Sequence, residues 1–574
     1  MKPTWKKSLT AAVLTVSLAL TSAPAVILAA DGTAIALEGR GQYSLTASIR
    51  ADVKSVVSEL VGEETRIAAV VQLYNGGSRV TRVPDYELRV KTADGTEYTL
   101  RPSVSNAKAI QPREKAELSY MLTLDYGAAL DLTELSWVEV DEYVYPKTET
   151  AILTVPVAGL AWGGPESVLA DPAAMKRWGE PFAIPGLTSG IVYTPVTLIR
   201  EKTPQGPVTV VTLIAENQGT RTETVPDFRI DGKSDSRAYT GQRVQTNVQL
   251  KPDEKKYVHY GILTDNNVTL NSLNVLTPET FADIENNSPV VVNYNVGRLN
   301  VALPQQDTID LASLPAYKLG DRVAFDPMSK LIDKETAISL VDLSLNESDS
   351  AGYNTIVAKF LVRNTGERPV PLPAFQTELT NADGFRYTGS RQATTVQQLE
   401  PKLSYVVNYA FAVPSSEKGE DLVLKLLDNQ TVAPYNIPIG GFKTAVATDE
   451  TDDDTLLFYP YTVKLNLWDL AAQGSPAGYT YKLKMDLDIE SAEDVVSDAS
   501  SANMTVELHD PRGRLIASET LPFTGRNKLV SGAQHLVFQN LRTDQFEWPL
   551  TIKIYESIQT ANGEAKRLVK ILKQ

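Results

Sequence analysis

The feature that most constrains this chain is a residue spacing that recurs three times. In each copy an alternating strand pattern ends in an asparagine, with a glycine within the next two residues. A proline lies nine residues after the asparagine and an aromatic residue two positions later; a second proline follows 28, 26 or 28 residues after the first, and a tyrosine lies eight residues beyond it. The positions are Asn75, Pro84, Tyr86, Pro112 and Tyr120; Asn217, Pro226, Phe228, Pro252 and Tyr260; and Asn364, Pro373, Phe375, Pro401 and Tyr409. These intervals predict three homologous modules, in which Tyr86, Phe228 and Phe375 are expected to be buried equivalents.

The strand before each asparagine has the period of two that is typical of a strand with one buried face. The residues predicted to face the core are Ile67, Ala69, Val71 and Leu73; Thr209, Val211, Leu213 and Ala215; and Ile356, Ala358, Phe360 and Val362. Asp94-Gly95 and Asp383-Gly384 predict tight hairpins, because glycine accepts a positive φ. Long amphipathic helices are absent from the sequence. We therefore predict an all-β sandwich for each module.

A looser fourth copy begins near Tyr479. Its apolar residues alternate with charged residues as in a strand that is buried on one face. The apolar set is Tyr481, Leu483, Met485, Leu487 and Ile489, and the acidic members of the other set are Asp486, Asp488 and Glu490. We interpret this acidic stripe as a solvated face. The fourth module is thus expected to be a divergent β-sandwich.

Segments rich in proline, glycine or acidic residues separate the modules, as is typical of domain boundaries. The predicted organisation is a signal peptide at 1–30, module 1 at 31–158, a linker at 159–189, module 2 at 190–303, a linker at 304–334, module 3 at 335–445, an acidic linker at 446–458 and module 4 at 459–574. Each repeat contains its own set of strands. We expect the modules to be largely independent units arranged in line.

The first thirty residues have the pattern of a secretion signal. Lys2, Lys6 and Lys7 precede an apolar stretch, and small residues follow it. Cleavage after Ala25 or after Ala30 fits equally well. An uncleaved membrane anchor is the alternative, because the uncharged segment 9–30 is long enough to span a bilayer. After cleavage, the sequence predicts no integral membrane span.

Composition restricts the compartment and the partners. The chain has no cysteine, which excludes disulfides, a thiolate nucleophile and a cysteine-type zinc site. An exported chain of large domains without disulfides suggests a bacterial product. The formal net charge is −15, and no run of Lys and Arg supplies the basic face that nucleic-acid binding requires. We therefore expect no nucleic-acid partner.

The residues that could perform catalysis or bind metal form no recognised pattern. His259 occupies the position of Ser119 and Asn408 in the other copies, so we expect a solvent-facing strand residue. His509 and His535 are 26 residues apart, which is not a metal-ligand spacing. Gly39-Arg40-Gly41 lacks the third glycine of a dinucleotide-binding loop. We predict no catalytic residues, no cofactor-binding residues, no metal ligands and no cofactor.

Two weaker signals concern calcium and sugars. The acidic run 449–454 contains oxygen ligands but lacks the Asp-x-Asp-x-Asp-Gly spacing, which favours a flexible linker. Aromatic faces stack on sugar rings. Tyr74 is predicted to point away from the core. The tryptophans outside the signal peptide are expected to pack in cores or linkers; these are Trp137, Trp162, Trp178, Trp468 and Trp548.

The chain resembles bacterial extracellular immunoglobulin-like modules of the immunoprotective-antigen type. The resemblance rests on the Asn-x-Gly turn, the aromatic residue after proline, the Asp-Gly hairpin and the Pro-to-Tyr interval. The resemblance covers 45–155, 190–300 and 335–440, with weaker support over 460–574. It implies secreted or envelope-associated β-sandwiches with no shared catalytic site. The implied fold is three clear and one divergent immunoglobulin-like modules in tandem, preceded by a signal peptide.

These observations lead to an expected function. The chain is expected to be a secreted, non-enzymatic extracellular or cell-envelope protein, including cell-wall association, that acts as a binding or spacer array. Its expected partner is an envelope protein or a polysaccharide. One alternative is a carbohydrate-binding accessory protein, which requires exposed coplanar aromatic rings on one sheet face or loop end. The other is an enzyme with a carboxylate site in the C-terminal module, which requires two desolvated acids facing each other.

Overall fold

The computed structural model describes residues 42–167, 169, 172–285, 288–308, 313–346, 352–447, 454–475, 478–498, 501–538, 541, 545–560 and 563–573. Within these residues the chain forms forty β-strands, one short 3-10 helix at Pro172–Ala174 and no α-helix, which confirms the predicted all-β class. The predicted signal peptide, Gly39-Arg40-Gly41 and acidic residues 449–453 lie outside the described residues.

The strands fall into four groups, which we call modules 1 to 4. Module 1 contains β1 (Tyr43–Ser44), β2 (Ile49–Val61), β3 (Glu64–Asn75), β4 (Thr81–Arg82), β5 (Glu87–Thr92), β6 (Glu97–Pro102), β7 (Ala109–Ile110), β8 (Lys115–Leu124), β9 (Leu132–Asp141), β10 (Thr148–Pro156) and β11 (Ala161–Trp162). Module 2 contains β12 (Met175–Lys176), β13 (Ile191–Thr203), β14 (Gly206–Asn217), β15 (Glu223–Thr224), β16 (Arg229–Lys233), β17 (Ala238–Arg243), β18 (Gln249–Leu250), β19 (Lys255–Leu263), β20 (Ser272–Glu285) and β21 (Ser288–Ala302).

The other two modules continue the numbering. Module 3 contains β22 (Thr336–Asn346), β23 (Tyr353–Asn364), β24 (Val370–Pro371), β25 (Gln376–Thr380), β26 (Arg386–Thr388), β27 (Ser390–Arg391), β28 (Gln398–Leu399), β29 (Ser404–Pro414), β30 (Leu422–Asp428) and β31 (Ile437–Thr444). Module 4 contains β32 (Thr455–Phe458), β33 (Tyr461–Ser475), β34 (Gly478–Ser491), β36 (Asn503–His509), β37 (Leu515–Pro522), β38 (Gly532–Phe538), β39 (Thr551–Thr560) and β40 (Gly563–Lys573). The short strand β35 (Val495–Val496) follows β34 in the chain but pairs in parallel with β29 of module 3.

All four modules repeat one strand order in two antiparallel layers. In module 1 the first layer is β2-β3-β8 and the second is β6-β5-β9-β10. The β6–β8 pairing in module 1 and the β17–β19 pairing in module 2 join the two layers into one continuous sheet. The corresponding layers are β13-β14-β19 and β17-β16-β20-β21 in module 2, β22-β23-β29 and β26-β25-β30-β31 in module 3, and β33-β34-β38 and β37-β36-β39-β40 in module 4. The divergent fourth copy thus has the topology of the other three.

Each pair of layers encloses one hydrophobic core, an arrangement compatible with a β-sandwich. The predicted core faces of β3, β14 and β23 are buried, and so are Tyr481, Leu483, Met485 and Leu487 of β34. Residues in the predicted linkers also enter these cores. Phe182 belongs to the core of module 2, Val323 belongs to that of module 3, and β11 pairs in parallel with β2 of module 1.

The repeated asparagines hold the turns that define the modules. Each is fully buried, and its Nδ2 donates to two backbone carbonyls while its Oδ1 accepts from the amide two residues later. The carbonyl acceptors are Arg79 and Ile110 for Asn75, Arg221 and Leu250 for Asn217, and Arg368 and Leu399 for Asn364, at 2.7 to 3.0 Å. The residue after the second proline has positive φ in every copy: Arg113, Asp253 and Lys402. The sequence repeat is therefore a repeat of hydrogen bonding and backbone conformation.

The repeated aromatic residues are less uniform than we expected. Phe228 and Phe375 are buried and pack against Tyr260 and Tyr409, with ring centroids 5.5 and 5.3 Å apart. The Tyr260 hydroxyl donates to the Phe228 carbonyl at 3.0 Å, and that of Tyr409 donates to the Phe375 carbonyl. Tyr86 is only half-buried, so the expectation of three buried equivalents is wrong for module 1.

Candidate functional site

One position on the outer sheet face is used at all three junctions between modules. Ala68, Val210 and Val357 each lie seven residues before the repeated asparagine, and each is buried against the following module. The covering residues come from the second layer of that module and, at the second junction, also from the turn between β30 and β31. They are Leu276, Phe281, Tyr294 and Val296 at the first junction, Val432 and Ile437 at the second, and Ile558 and Ala565 at the third. Successive modules therefore dock through equivalent surfaces, and the independent folding of each module stays a prediction.

The first junction is closed by Trp162 of strand β11. The indole is 1% exposed and packs with residues from both modules. A Cβ atom at Gly297 would overlap this ring, so the close approach requires glycine. Arg298 of module 2 also donates to the Lys54 carbonyl of module 1 at 2.9 Å, and its guanidinium is paired with Glu279.

The second junction contains His259, which the sequence interpretation placed in solvent. His259 is 4% exposed, because module 3 covers the sheet face on which it lies. Its Nδ1 is 2.9 Å from the Thr212 hydroxyl, and burial lowers the pKa of the imidazole to about 4. The expected solvent-facing residue is thus a neutral, buried junction residue. It borders a cavity of about 310 Å³ that Asp326 and Asp428 also line.

The third junction buries a network of charges. The Lys359 Nζ lies 2.5 Å from Glu556 and 2.8 Å from Asp342, and Lys359 is 1% exposed. Glu556 also accepts from Arg567, with 3.0 Å between the atoms of the ion pair. Burial opposes the charge on Lys359, but Asp342 and Glu556 outweigh it and hold the lysine pKa above its ordinary value. The network joins modules 3 and 4 and satisfies each charge with an opposite one.

The corresponding face of module 4 has a different chemistry. The strands β2, β13, β22 and β33 each contain one β-bulge at the same place in their pairing with the next strand. When the modules are aligned on this bulge, Lys484 is the counterpart of Ala68. Its cross-strand neighbours are Asp469 and His535, and all three side chains are exposed. The outer face of module 4 is therefore polar where the earlier modules are apolar or covered.

A polar cleft of about 940 Å³ lies between modules 2 and 3. Its charges are largely paired: Arg200 lies 3.0 Å from Asp307, and Lys425 lies 2.8 Å from Glu378. Burial raises the pKa of Glu201, and the nearby carboxylate of Glu378 adds to the rise. The cleft offers hydrogen-bonding groups of both signs of charge but no aromatic ring for a ligand to stack on.

Three exposed aromatic rings form the clearest binding surface in the part of the chain that the structure describes. We call Tyr479, Phe546 and Trp548 the aromatic surface; these residues are 40, 48 and 42% exposed. The planes of Phe546 and Trp548 differ by only 9°, with ring centroids 6.1 Å apart. Tyr479, at the start of β34, lies 5.2 Å from Phe546. The three partly exposed rings therefore form one apolar patch at one end of module 4.

Hydrogen bonds fasten the backbone beneath these rings. The hydroxyl of buried Tyr481 donates to the Glu547 carbonyl at 2.9 Å and accepts from the Glu547 amide at 3.0 Å. Glu547 lies between Phe546 and Trp548 in the chain, so both rings extend from a fixed segment. The Glu547 carboxylate accepts from Arg514 at 3.3 Å, and Arg514 is 63% exposed. A charged polar pair therefore borders the aromatic surface.

The remaining sequence candidates are placed apart from one another. His509 is buried, with Nε2 2.9 Å from Glu507 and Nδ1 3.1 Å from the Gly513 carbonyl, whereas His535 is exposed on β38. Asp488 and Glu490 are exposed and Asp486 is half-buried, consistent with a solvated strand face. No cluster of three or more metal-ligating side chains occurs among the described residues.

Two buried acids of module 4 do not show the raised pKa expected of a catalytic acid. The pKa of Glu507 is lowered: burial opposes ionisation, but hydrogen bonds from His509 and Lys566 outweigh it. The pKa of Asp510 is also lowered, because hydrogen bonds from Arg514 and Arg512 outweigh desolvation. These carboxylates are held ionised by their partners.

The tryptophans and Tyr74 occupy varied environments. Trp137 is buried in the core of module 1, Trp178 and Trp468 are half-buried against the cores of modules 2 and 4, and Tyr74 is half-buried on the outer side of β3. Trp548 is exposed, so the expectation of core or linker packing fails for this residue.

The sequence analysis did not predict that the outer faces of β3 and β14 are buried by the following module, although the sequence contains a signal for this burial. The run Ile67-Ala68-Ala69-Val70-Val71 is apolar at every position, and the run from Val208 to Leu213 is apolar except at Thr209 and Thr212. Strands buried on both faces have this continuous pattern. The aromatic surface left a weaker signal, since Phe546 and Trp548 are separated by one residue and therefore share a side of an extended segment.

Comparisons with known proteins do not assign the chain to a family. No protein-family model matches it, and no similar curated protein was found. Among the described residues, no helix has the length and apolarity needed to cross a membrane.

Proposed function

We propose that this protein is a secreted, non-enzymatic protein of the extracellular space or cell envelope, built as a stiff spacer array of immunoglobulin-like modules that presents binding surfaces. The observation that carries the proposal is the repeated docking at Ala68, Val210 and Val357. A junction that buries apolar side chains resists bending, because a hinge motion would expose them to water. The array therefore sets a distance between whatever its two ends contact.

The sequence supports an extracellular location. The basic start, apolar run and small residues of 1–30 have the order of a secretion signal, and the absence of cysteine leaves the fold independent of the redox state of the compartment. The acidic net charge of −15 favours protein or polysaccharide partners over nucleic acid. Fractionation of the host, with N-terminal sequencing of the exported protein, tests the location. Mature protein starting at Val26 or Asp31 is the expected result.

Distance measurements between modules test the stiffness. The native chain has no cysteine, so Ala93→Cys with Ser236→Cys introduces two unique spin-labelling sites at exposed hairpins of modules 1 and 2. Ala382→Cys with Arg512→Cys provides the matching pair for modules 3 and 4. We expect one narrow distance distribution for each pair. A broad distribution for either pair would refute the stiff spacer.

A further inference from the structure

We propose that the aromatic surface of module 4 binds neutral polysaccharide by stacking on the flat faces of its sugar rings. This inference rests on the proposed function, since it names the ligand class of a binding array. It also identifies three contact residues: Tyr479, Phe546 and Trp548.

The ring geometry suits a flat ligand. Phe546 and Trp548 are parallel within 9°, and each exposes more than two-fifths of its surface. The face of an aromatic ring is electron-rich, whereas the C–H groups on one face of a pyranose are weakly positive and apolar, so the two surfaces attract each other in water. An apolar patch of adjoining rings beside charged groups suits a chain of sugar units, since each unit has an apolar face and polar hydroxyls.

The surface is held in place before any ligand arrives. The Tyr481 hydroxyl binds both backbone groups of Glu547, and Tyr481 itself is fully buried. The segment that carries Phe546 and Trp548 therefore loses little conformational entropy on binding, and this increases affinity for a given contact area.

The polar border provides groups that sugar hydroxyls can bind. Arg514 is 63% exposed while its guanidinium is paired with Asp510 at 2.6 Å and Glu547 at 3.3 Å. Arg514 can donate and Glu547 can accept, which matches hydroxyls that do both. Contact with a lipid surface would remove water from this ion pair, and nucleic acid would require a run of Lys and Arg that the sequence does not contain. Charge and geometry together favour an uncharged carbohydrate.

The test uses the full protein in pull-down assays with cellulose, with chitin and with a soluble mixed-linkage glucan. We expect retention by at least one of them and a loss of affinity of about tenfold in Trp548→Ala and in Phe546→Ala. The matched controls are Tyr143→Ala and Phe385→Ala, which remove exposed rings in modules 1 and 3. Both controls should bind as the native protein does.

A second readout does not depend on the stability of the alanine variants. Trp548 is the most exposed tryptophan in the described residues, so a bound sugar should change its fluorescence. Trp548→Phe keeps an aromatic face and should retain binding while losing this fluorescence change. No binding by the native protein to any of the three polysaccharides overturns the inference, as does unchanged affinity in Trp548→Ala or binding to a proline-rich peptide alone. In those cases a narrow inter-module distance distribution leaves the spacer function standing.

Discussion

At the scale of single residues, the junctions contain groups whose chemistry depends on complete burial. Lys359 and His259 lie on the outer faces of modules 3 and 2, where an isolated module would leave them in water. Docking of the following module changes both environments. Lys359 gains the Glu556 carboxylate in addition to Asp342 of its own module and stays charged, whereas His259 lies beside a hydroxyl and loses its charge. The junctions therefore bury a basic residue in two different ways, as a charged lysine paired with carboxylates and as a neutral histidine.

Lys359→Met should destabilise the third junction strongly. The change leaves Asp342 without its 2.8 Å partner and Glu556 with Arg567 alone, and an unpaired buried charge costs about 3–5 kcal/mol. Urea unfolding of the full protein measures the loss. Lys402→Met is the control, because Lys402 and its partner Glu367 are exposed and such pairs contribute less than about 1 kcal/mol. Equal stability of the two variants would contradict the buried network.

His259 should make folding sensitive to mild acid. Its pKa is about 4 in the folded protein, below the ordinary value near 6.5, so between these limits the unfolded chain binds a proton that the folded chain does not. Stability then falls as pH is lowered through this window, by up to about 3 kcal/mol. His259→Asn copies the residue at the equivalent position of module 3, Asn408, and should lose less stability between pH 7 and about pH 4.5. The same pH dependence in both proteins would rule out a buried neutral imidazole.

At the scale of elements, the sequence predicted the inward faces of the strands but not the outward ones. The core face of β3, the turn at Asn75 and the alternating strand at Tyr481 all follow from a period of two and from turn chemistry, which are local properties. The burial of Ala68 and His259 depends on a neighbouring module, so no local period specifies it. The aromatic surface combines β34 with a loop more than sixty residues later, and this proximity is a tertiary property.

The repeated aromatic residues should contribute unequally to the free energy of unfolding. Phe228→Ala and Phe375→Ala remove buried rings and should each lower the unfolding free energy by about 3–5 kcal/mol. Tyr86→Ala should cost less, because Tyr86 is half-buried and its ring already contacts solvent. Calorimetry of the full protein would separate the three effects. A cost for Tyr86→Ala as large as for Phe375→Ala would contradict the difference in packing.

At the scale of the whole molecule, glycine controls how closely modules 1 and 2 approach. Gly297→Ala places a methyl group in the space of the Trp162 ring, and the two sheets must separate to accommodate it. We expect the Ala93–Ser236 distance distribution to shift or broaden. Gly474→Ala is the control, since a methyl group there meets only an ordinary contact with Tyr479. An unchanged distribution in Gly297→Ala would show that the junction has spare room.

The charged outer face of module 4 has a consequence for how such arrays can be rearranged. A module inserted after module 4 would have to bury Asp469, Lys484 and His535, and each unpaired charge would have to be stripped of water. At the third junction the charges of Lys359 and Asp342 are buried together with Glu556 and Arg567, which module 4 supplies with opposite signs. A module that followed module 4 would therefore need matching opposite charges on its second layer, so the sheet surfaces as well as the linkers restrict the order of modules.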